Sequence, residues 1–226
     1  LKILDIGNTR IKCYEVKSID SIDVVFDISA KRQTLECYIE NYKNYKEEIY
    51  AISTNKEFED FIIINKLRKI DTSLFEKLTD FKSPYEGYGI DRLINSYAAS
   101  KLYSSNVLVV SMGSAITYDI VKNSKIEYGY ITPGLIQRKE CLIISVPHLQ
   151  MPTNELEKAR NFQKPSNTQE AIAYGIAKEL LSTINTIKSE ENVEVVITGG
   201  DANFFEDIFT IDKFLTPKGI FLAFKK

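Results

Sequence analysis

The stretch Lys2-Ile3-Leu4-Asp5-Ile6-Gly7-Asn8-Thr9-Arg10-Ile11-Lys12 decides how the chain is read. A short apolar run, Ile3, Leu4 and Ile6, is interrupted by one carboxylate, Asp5. Alternation resumes at Ile11, Cys13 and Val16, so the pattern is a strand, a tight turn and a second strand. Gly7 lets the turn approach a ligand closely. Asn8, Thr9 and the N–H groups of the turn can donate to phosphate oxygens. Lys12 supplies positive charge, and Asp5 can hold Mg²⁺ directly or through water. These residues suit a phosphate-and-metal cradle built on a β-hairpin. They suit an ordinary hairpin with a solvated Asp equally well, and only the chain downstream separates the two.

Working outward, 226 residues suit one large or two small domains, with enough chain for a sizeable core. A formal net charge of −2 argues against a general pull toward nucleic acid or an anionic membrane. The Tyr42-Lys43-Asn44-Tyr45-Lys46 stretch is followed at once by Glu47 and Glu48 and reads as a solvated helix face. Three widely spaced cysteines, Cys13, Cys37 and Cys141, without a C-x-x-C, suit reduced thiols in a cytoplasmic protein. Cys13 and Cys141 sit in apolar patterns and are expected in the core. A single histidine, His148, excludes a His-based metal cluster, so any chemistry must use carboxylates, Lys/Arg and hydroxyls. The first residues go straight into a strand, with no leader pattern, and runs such as Phe61-Ile62-Ile63-Ile64 are too short to span a bilayer.

After the first hairpin, residues 22–28 read as a third strand, 33–45 as a helix, 49–53 as a buried strand, and 55–66 as a helix capped by Asn55. Residues 68–90 read as irregular, with Pro84, Gly87 and Gly89 marking loop. Asp91 to Tyr103 is a helix with Leu93, Ile94, Tyr97, Ala98 and Leu102 on one stripe. Then the opening recurs: strand 107–110, a turn Ser111-Met112-Gly113-Ser114-Ala115, strand 116–121 and a third from Lys125 to Ile131. A helix follows over about 135–144, with Leu135, Ile136, Cys141 and Leu142 inward. A long one covers 168–189, with Ala171, Ile172, Ile176, Leu180, Leu181 and Ile184 as its apolar stripe, suited to a core or a dimer interface. Strand 193–197 ends in Thr198-Gly199-Gly200-Asp201-Ala202.

The two halves follow one plan, with Asp5–Thr9 and Ser111–Ala115 at equivalent turns. Duplication of this kind predicts two similar α/β domains, residues 1–104 and 105–226, with a nucleotide cleft between them.

Here the chain resembles type III pantothenate kinases, in the superfamily of acetate and sugar kinases, heat-shock ATPases and actin. The family's D-x-G-N-T with a following lysine is met by Asp5, Gly7, Asn8, Thr9 and Lys12. G-x-D-R is met by Gly89-Ile90-Asp91-Arg92, and the second phosphate turn by Gly113-Ser114-Ala115-Ile116-Thr117. G-x-I-x-P-G-L is met by Gly129 to Leu135. The stretch around Asn167, Thr168, Ala171, Ile172 and Gly175 matches a further family pattern, and T-G-G-D-A matches Thr198 to Ala202. The resemblance implies two ribonuclease H-like, actin-like ATPase domains, ATP with Mg²⁺, phosphorylation of pantothenate at its primary hydroxyl, a homodimer and a cytoplasmic enzyme. It implies ATP contacts along Asp5, Ile6, Gly7, Asn8, Thr9, Arg10, Ile11 and Lys12 and at Gly113 and Ser114. It implies substrate contacts at Gly89, Ile90, Asp91, Arg92 and Thr168, with Thr168 reaching substrate from a partner subunit. Tyr85, near the family's tyrosine once a gap is allowed, is the candidate aromatic contact. The family carries an aspartate where this chain has Ser111, and associates it with a monovalent cation, K⁺ or NH₄⁺. A hydroxyl is a poorer cation ligand, which puts that requirement in question.

Phosphoryl transfer asks mainly for positioning and charge stabilisation. Asp91, at a helix start, is expected to stay ionised, to orient the attacking hydroxyl and to accept its proton late. A plain helix-start carboxylate is the competing reading of its local sequence. Arg92 offers a fork for a carboxylate or amide. Thr168 reads also as a helix cap. The alternatives in function are a kinase of the same superfamily for another small substrate, and a non-catalytic nucleotide-binding regulator.

Overall fold

The computed structural model describes residues 1–42 and 48–225. The chain forms two compact units, residues 1–98 with 214–226, and residues 99–213.

The first unit opens with β1 (Lys2–Ile6), β2 (Arg10–Ser18) and β3 (Ser21–Ser29), followed by α1 (Arg32–Tyr42) and β4 (Ile49–Ser53). The rest of the helix expected over 33–45 lies outside the described residues. Asn55 caps the next segment as expected, its side chain accepting from the Glu57 N–H at 3.0 Å. The segment is a 3-10 turn leading into α2 (Glu59–Ile64). Residues 68–90 hold more structure than their sequence suggests: β5 (Arg68–Lys69) and α3 (Thr72–Thr79). Asp71 caps α3 by accepting from the Leu74 N–H at 2.8 Å, and Asp80 ends it in the left-handed region at φ 63°. α4 (Ile90–Leu102) follows.

The second unit repeats the order with β6 (Val107–Met112), β7 (Ala115–Lys122), β8 (Lys125–Pro133), α5 (Leu135–Ser145), α6 (Thr153–Lys158), α7 (Thr168–Glu191), β9 (Glu194–Thr198) and β10 (Thr210–Ile211). The last helix is α8 (Leu215–Phe224). The sheets have matching orders, β3-β2-β1-β4-β5 and β8-β7-β6-β9-β10. In each, the first three strands pair antiparallel and the last two join in parallel. The duplication is thus visible in topology as well as in motif.

The expected division at 104/105 differs from the compact units. The first ends inside α4 and takes back residues 214–226. The reason is α8, whose Leu215, Ile220, Phe221 and Ala223 are buried. Thr216 Oγ1 donates to Asn95 Oδ1 of α4 at 2.8 Å, and the Phe224 ring packs 4.6 Å from that of Tyr50 on β4. α8 also packs on β2 and α3, and so holds α4 in the first unit.

One face of the first sheet buries Leu4, Ile6, Ile11, Cys13 and Phe26 against Leu35 and Ile39 of α1 and Phe58, Phe61 and Ile62. In the second unit, Leu108, Val110, Met112, Ile116, Tyr118 and Ile120 pack on α7 through Ala173, Ala177, Leu180, Ile184 and Ile187. That stripe is rotated from the expected one. Ala171 is exposed, Ile172, Ile176 and Leu181 flank the core, and two alanines let the helix lie close to the sheet. Cys141, expected in the core, is exposed near the end of α5, where one buried residue, Leu135, anchors the helix. Cys13 is buried, and burial pushes its thiol up to about 11.

Candidate active site

The first glycine turn joins β1 to β2. Gly7 N–H donates to Arg10 O at 3.0 Å, which closes the turn, and Asn8, Thr9 and Arg10 are exposed on it. Two neighbours brace it: Ala30 N–H donates to Thr9 O at 2.9 Å and Thr54 N–H to Ile6 O at 3.0 Å. In register, Asp5 stands opposite Lys12 and Ile6 opposite Ile11. Opposed residues of an antiparallel pair share a face, so the carboxylate and the ammonium group emerge side by side below the turn.

Asp5 is electrostatically unusual. Its carboxyl is pushed up to about 7, first by burial, then by the Asp91 carboxylate; Lys12 pulls it down and Asp27 adds a smaller push. Asp5 and Asp91, far apart in sequence, therefore share one field. A crowded anionic site of this kind suits a divalent cation. Among the described residues no group of three or more His, Cys, Asp or Glu gathers to hold a metal. Asp5 could do so only in the manner of Mg²⁺ sites that combine one or two carboxylates with water and substrate phosphates.

Asp91 and Arg92 lie in the first turn of α4, whose first bond runs from Leu93 N–H to Gly89 O at 3.1 Å. A Cβ on Gly89 would lie 2.7 Å from Asp91 Oδ1, so the glycine leaves room for the carboxylate at the helix head. Arg92 takes a different course. Its guanidinium carbon sits 4.2 Å above the Tyr88 ring, and Nη1 donates to the Tyr85 hydroxyl at 3.1 Å. The two tyrosine rings meet edge to face with centroids 5.3 Å apart. Tyr85, a sequence candidate, thus engages Arg92. Tyr88 was missed; its place four residues before Arg92 was the available signal.

The second unit gathers its own turns. Gly113 and Ser114 link β6 to β7, a shorter turn than the five residues expected. Gly134 N–H donates to Ser114 O at 3.0 Å, and Asp201 N–H to Met112 O at 3.1 Å. Gly199 has φ +99°, and a Cβ there would lie 2.2 Å from Met112 O, which only glycine tolerates. The P-G-L and T-G-G-D stretches therefore meet at the Gly113–Ser114 turn. Ser111 occupies the position of Asp5: it faces Thr117 on β7 and Thr198 on β9. Thr117 Oγ1 donates to Asp119 Oδ2 at 3.2 Å, and that carboxylate is fully buried.

Thr168 is exposed in the first turn of α7. The cap is Asn167, which accepts from Glu170 N–H at 2.9 Å, while Glu170 accepts from Ser166. A cavity of about 250 Å³ beside this helix head is lined by Glu155, Lys158, Gln163, Lys164, Ser166, Glu170 and Tyr174 and holds none of the expected site residues.

The sequence profile of the type III pantothenate kinases matches residues 2–190. The chain belongs to the type III pantothenate kinase family. It is 27% identical to a type III pantothenate kinase of Acinetobacter baylyi over 95% of this chain and 88% of that protein. With that of Aquifex aeolicus the identity is 32%, over 75% of this chain and 76% of the relative. Among solved structures, a Campylobacter jejuni protein described as a Baf family transcriptional activator aligns with TM-score 0.70 and 26% identity, over 100% of this chain and 98% of that one. An Acidaminococcus fermentans (R)-2-hydroxyglutaryl-CoA dehydratase component A aligns at TM-score 0.54 with 12% identity, over 96% and 92%, a likeness of fold alone. As a kinase of this family the chain is a transferase that binds ATP and serves coenzyme A biosynthesis. No helix among its described residues is long and apolar enough to cross a membrane.

Proposed function

We propose that this chain, which phosphorylates pantothenate with ATP, does so with the machinery of its first glycine turn and the head of α4. The observation that carries the reading is the coupling of Asp5, Lys12 and Asp91 in one field. Asp91 accepts a hydrogen bond from the primary hydroxyl of pantothenate and takes its proton late, as a loose transition state permits. Lys12 and the N–H groups of Asn8 and Thr9 on the turn offset the negative charge that builds on the transferred phosphoryl group. Asp5 holds Mg²⁺, which when bound neutralises the phosphates. Arg92, braced by Tyr85 and Tyr88, recognises the carboxylate or amide of the substrate. Gly113 and Ser114 contact ATP phosphates through the second turn.

The enzyme is a cytoplasmic homodimer in which the exposed Thr168 meets substrate bound by the partner copy. Ser111, a neutral hydroxyl, holds no dedicated K⁺ or NH₄⁺, so turnover survives exchange of potassium for sodium.

The test is ADP release from ATP and Mg²⁺, with and without pantothenate, in each salt. Release that depends on pantothenate, and falls sharply in Asp91→Asn, is expected. Nucleotide binding with no pantothenate-dependent release would move the reading to another acceptor or to a regulator.

A further inference from the structure

The row of charges on the site face of the first sheet runs one strand past the motif. Asp5 on β1 is opposite Lys12 on β2, and Lys12 is opposite Asp27 on β3. Arg10, two residues before Lys12 and so on the same face, pairs with Ser29 and sits diagonally from Asp27. Its guanidinium turns back along β3. Nε donates to Asp27 Oδ1 at 2.8 Å and Nη2 to the main-chain oxygen of Asp27 at 2.9 Å. These bonds occupy one edge of the guanidinium and fix its plane. The other edge, carrying Nη1, makes no hydrogen bond to a described residue. The Arg10 side chain is 52% exposed and that of Asp27 38%, so a ligand can reach them.

An exposed ion pair contributes little to stability. Two-point attachment to side chain and main chain does something else: it orients a planar cation at the lip of a phosphate-binding turn. A guanidinium held by one edge keeps the other for a phosphate, where the fork geometry fits two oxygens. The charge of Asp27 is also felt at Asp5 and Tyr14, which places it on the site face.

We propose that Asp27 is a positioning residue that holds Arg10 edge-on, so that Arg10 joins Lys12 as a second cation on the terminal phosphate of ATP. This rests on the kinase reading above. It gives Arg10 a role that turn chemistry alone does not, and it adds a residue outside the motif.

The experiment is calorimetric binding of a non-hydrolysable ATP analogue and of ADP, without pantothenate, to the wild-type chain and to Asp27→Ala, Arg10→Ala, the double variant and Asp27→Glu. Asp27→Ala and Arg10→Ala should each weaken the triphosphate analogue about tenfold, the size of one charge-assisted contact, and ADP by less than about twofold. The double variant should bind no worse than Arg10→Ala, and Asp27→Glu should recover most of the loss. The proposal is overturned if Asp27→Ala costs as much in the Arg10→Ala background as in the wild type, or if ADP and the triphosphate weaken equally. Binding of the analogue without pantothenate turnover would sink the substrate assignment and leave this test standing. A wild-type chain that binds no nucleotide would overturn both.

Discussion

The two glycine hairpins share a backbone plan and differ in charge. In the first, Asp5 faces Lys12 across the strands; in the second, the equivalent Ser111 faces Thr117. The parallel neighbour is Ile52 in one sheet and Thr198 in the other. One fold therefore presents a charged site on one copy and a hydroxyl-lined turn on the other. Topology places the turn, and side chains decide what it can do. The strongest way to break the comparison is to impose the second unit's residue on the first. Asp5→Ser should lower pantothenate-dependent ADP release by about a thousandfold or more, since it removes the carboxylate proposed to hold the metal. Retention of a tenth of the activity would show that the asymmetry carries no chemistry.

The next effects fall at the head of α4, which the first unit holds through α8. Asp91→Asn keeps the shape and removes the proposed base. kcat should fall by about a hundredfold or more, with KM for pantothenate changed little. Arg92→Lys keeps the charge but loses both the fork to Tyr85 and the stack on Tyr88. KM for pantothenate should rise about tenfold with kcat nearly unchanged. An unchanged KM would remove Arg92 from the substrate side.

A smaller effect follows from the field around Asp5. Its carboxyl titrates near 7 in the folded chain against an ordinary value of 3.8. The folded state therefore binds this proton more tightly than the unfolded one. The resulting stability is full below the ordinary value and is lost as pH rises toward 7. Without divalent ions, the melting temperature of the wild type relative to Asp5→Asn should drop by a few degrees between about pH 4 and 7. Mg²⁺ with ATP should restore it above pH 7 by binding the charged form. A difference independent of pH would mean that Asp5 is not held in a crowded anionic site.

Much of this was legible in the sequence because the evidence was local. Glycines between short apolar runs located both hairpins, and their recurrence predicted the duplication. What escaped was set by distance or by neighbours. α3 hid in a stretch read through its glycines and proline, although Asp71 before Leu74 and Phe75 is a cap signal. α8 left no mark of which unit it would join, because only its packing against α4, α3 and β2 decides that. Tyr88 and Asp27 belong to no motif; one matters through its stack under Arg92, the other through a register that brings β3 beside Lys12. Cys141 followed the apolar pattern of α5 and still faces water, on a helix whose one buried residue, Leu135, stands at its other end.

The smallest expected effect is the reverse exchange, Ser111→Asp. It places a carboxylate opposite Thr117, whose hydroxyl already donates to the buried Asp119. The new carboxylate must be desolvated on a hydroxyl-lined face with no cation beside it, so the variant should melt a few degrees lower in sodium. A monovalent cation offsets that cost, and potassium should recover part of the loss and stimulate turnover, by less than about threefold because the phosphate turn itself is unaltered. Wild-type turnover should be indifferent to the exchange of potassium for sodium. If the wild type instead requires potassium, the second turn holds a cation without a carboxylate at position 111, and the contrast between a charged hairpin and a neutral one no longer describes this kinase.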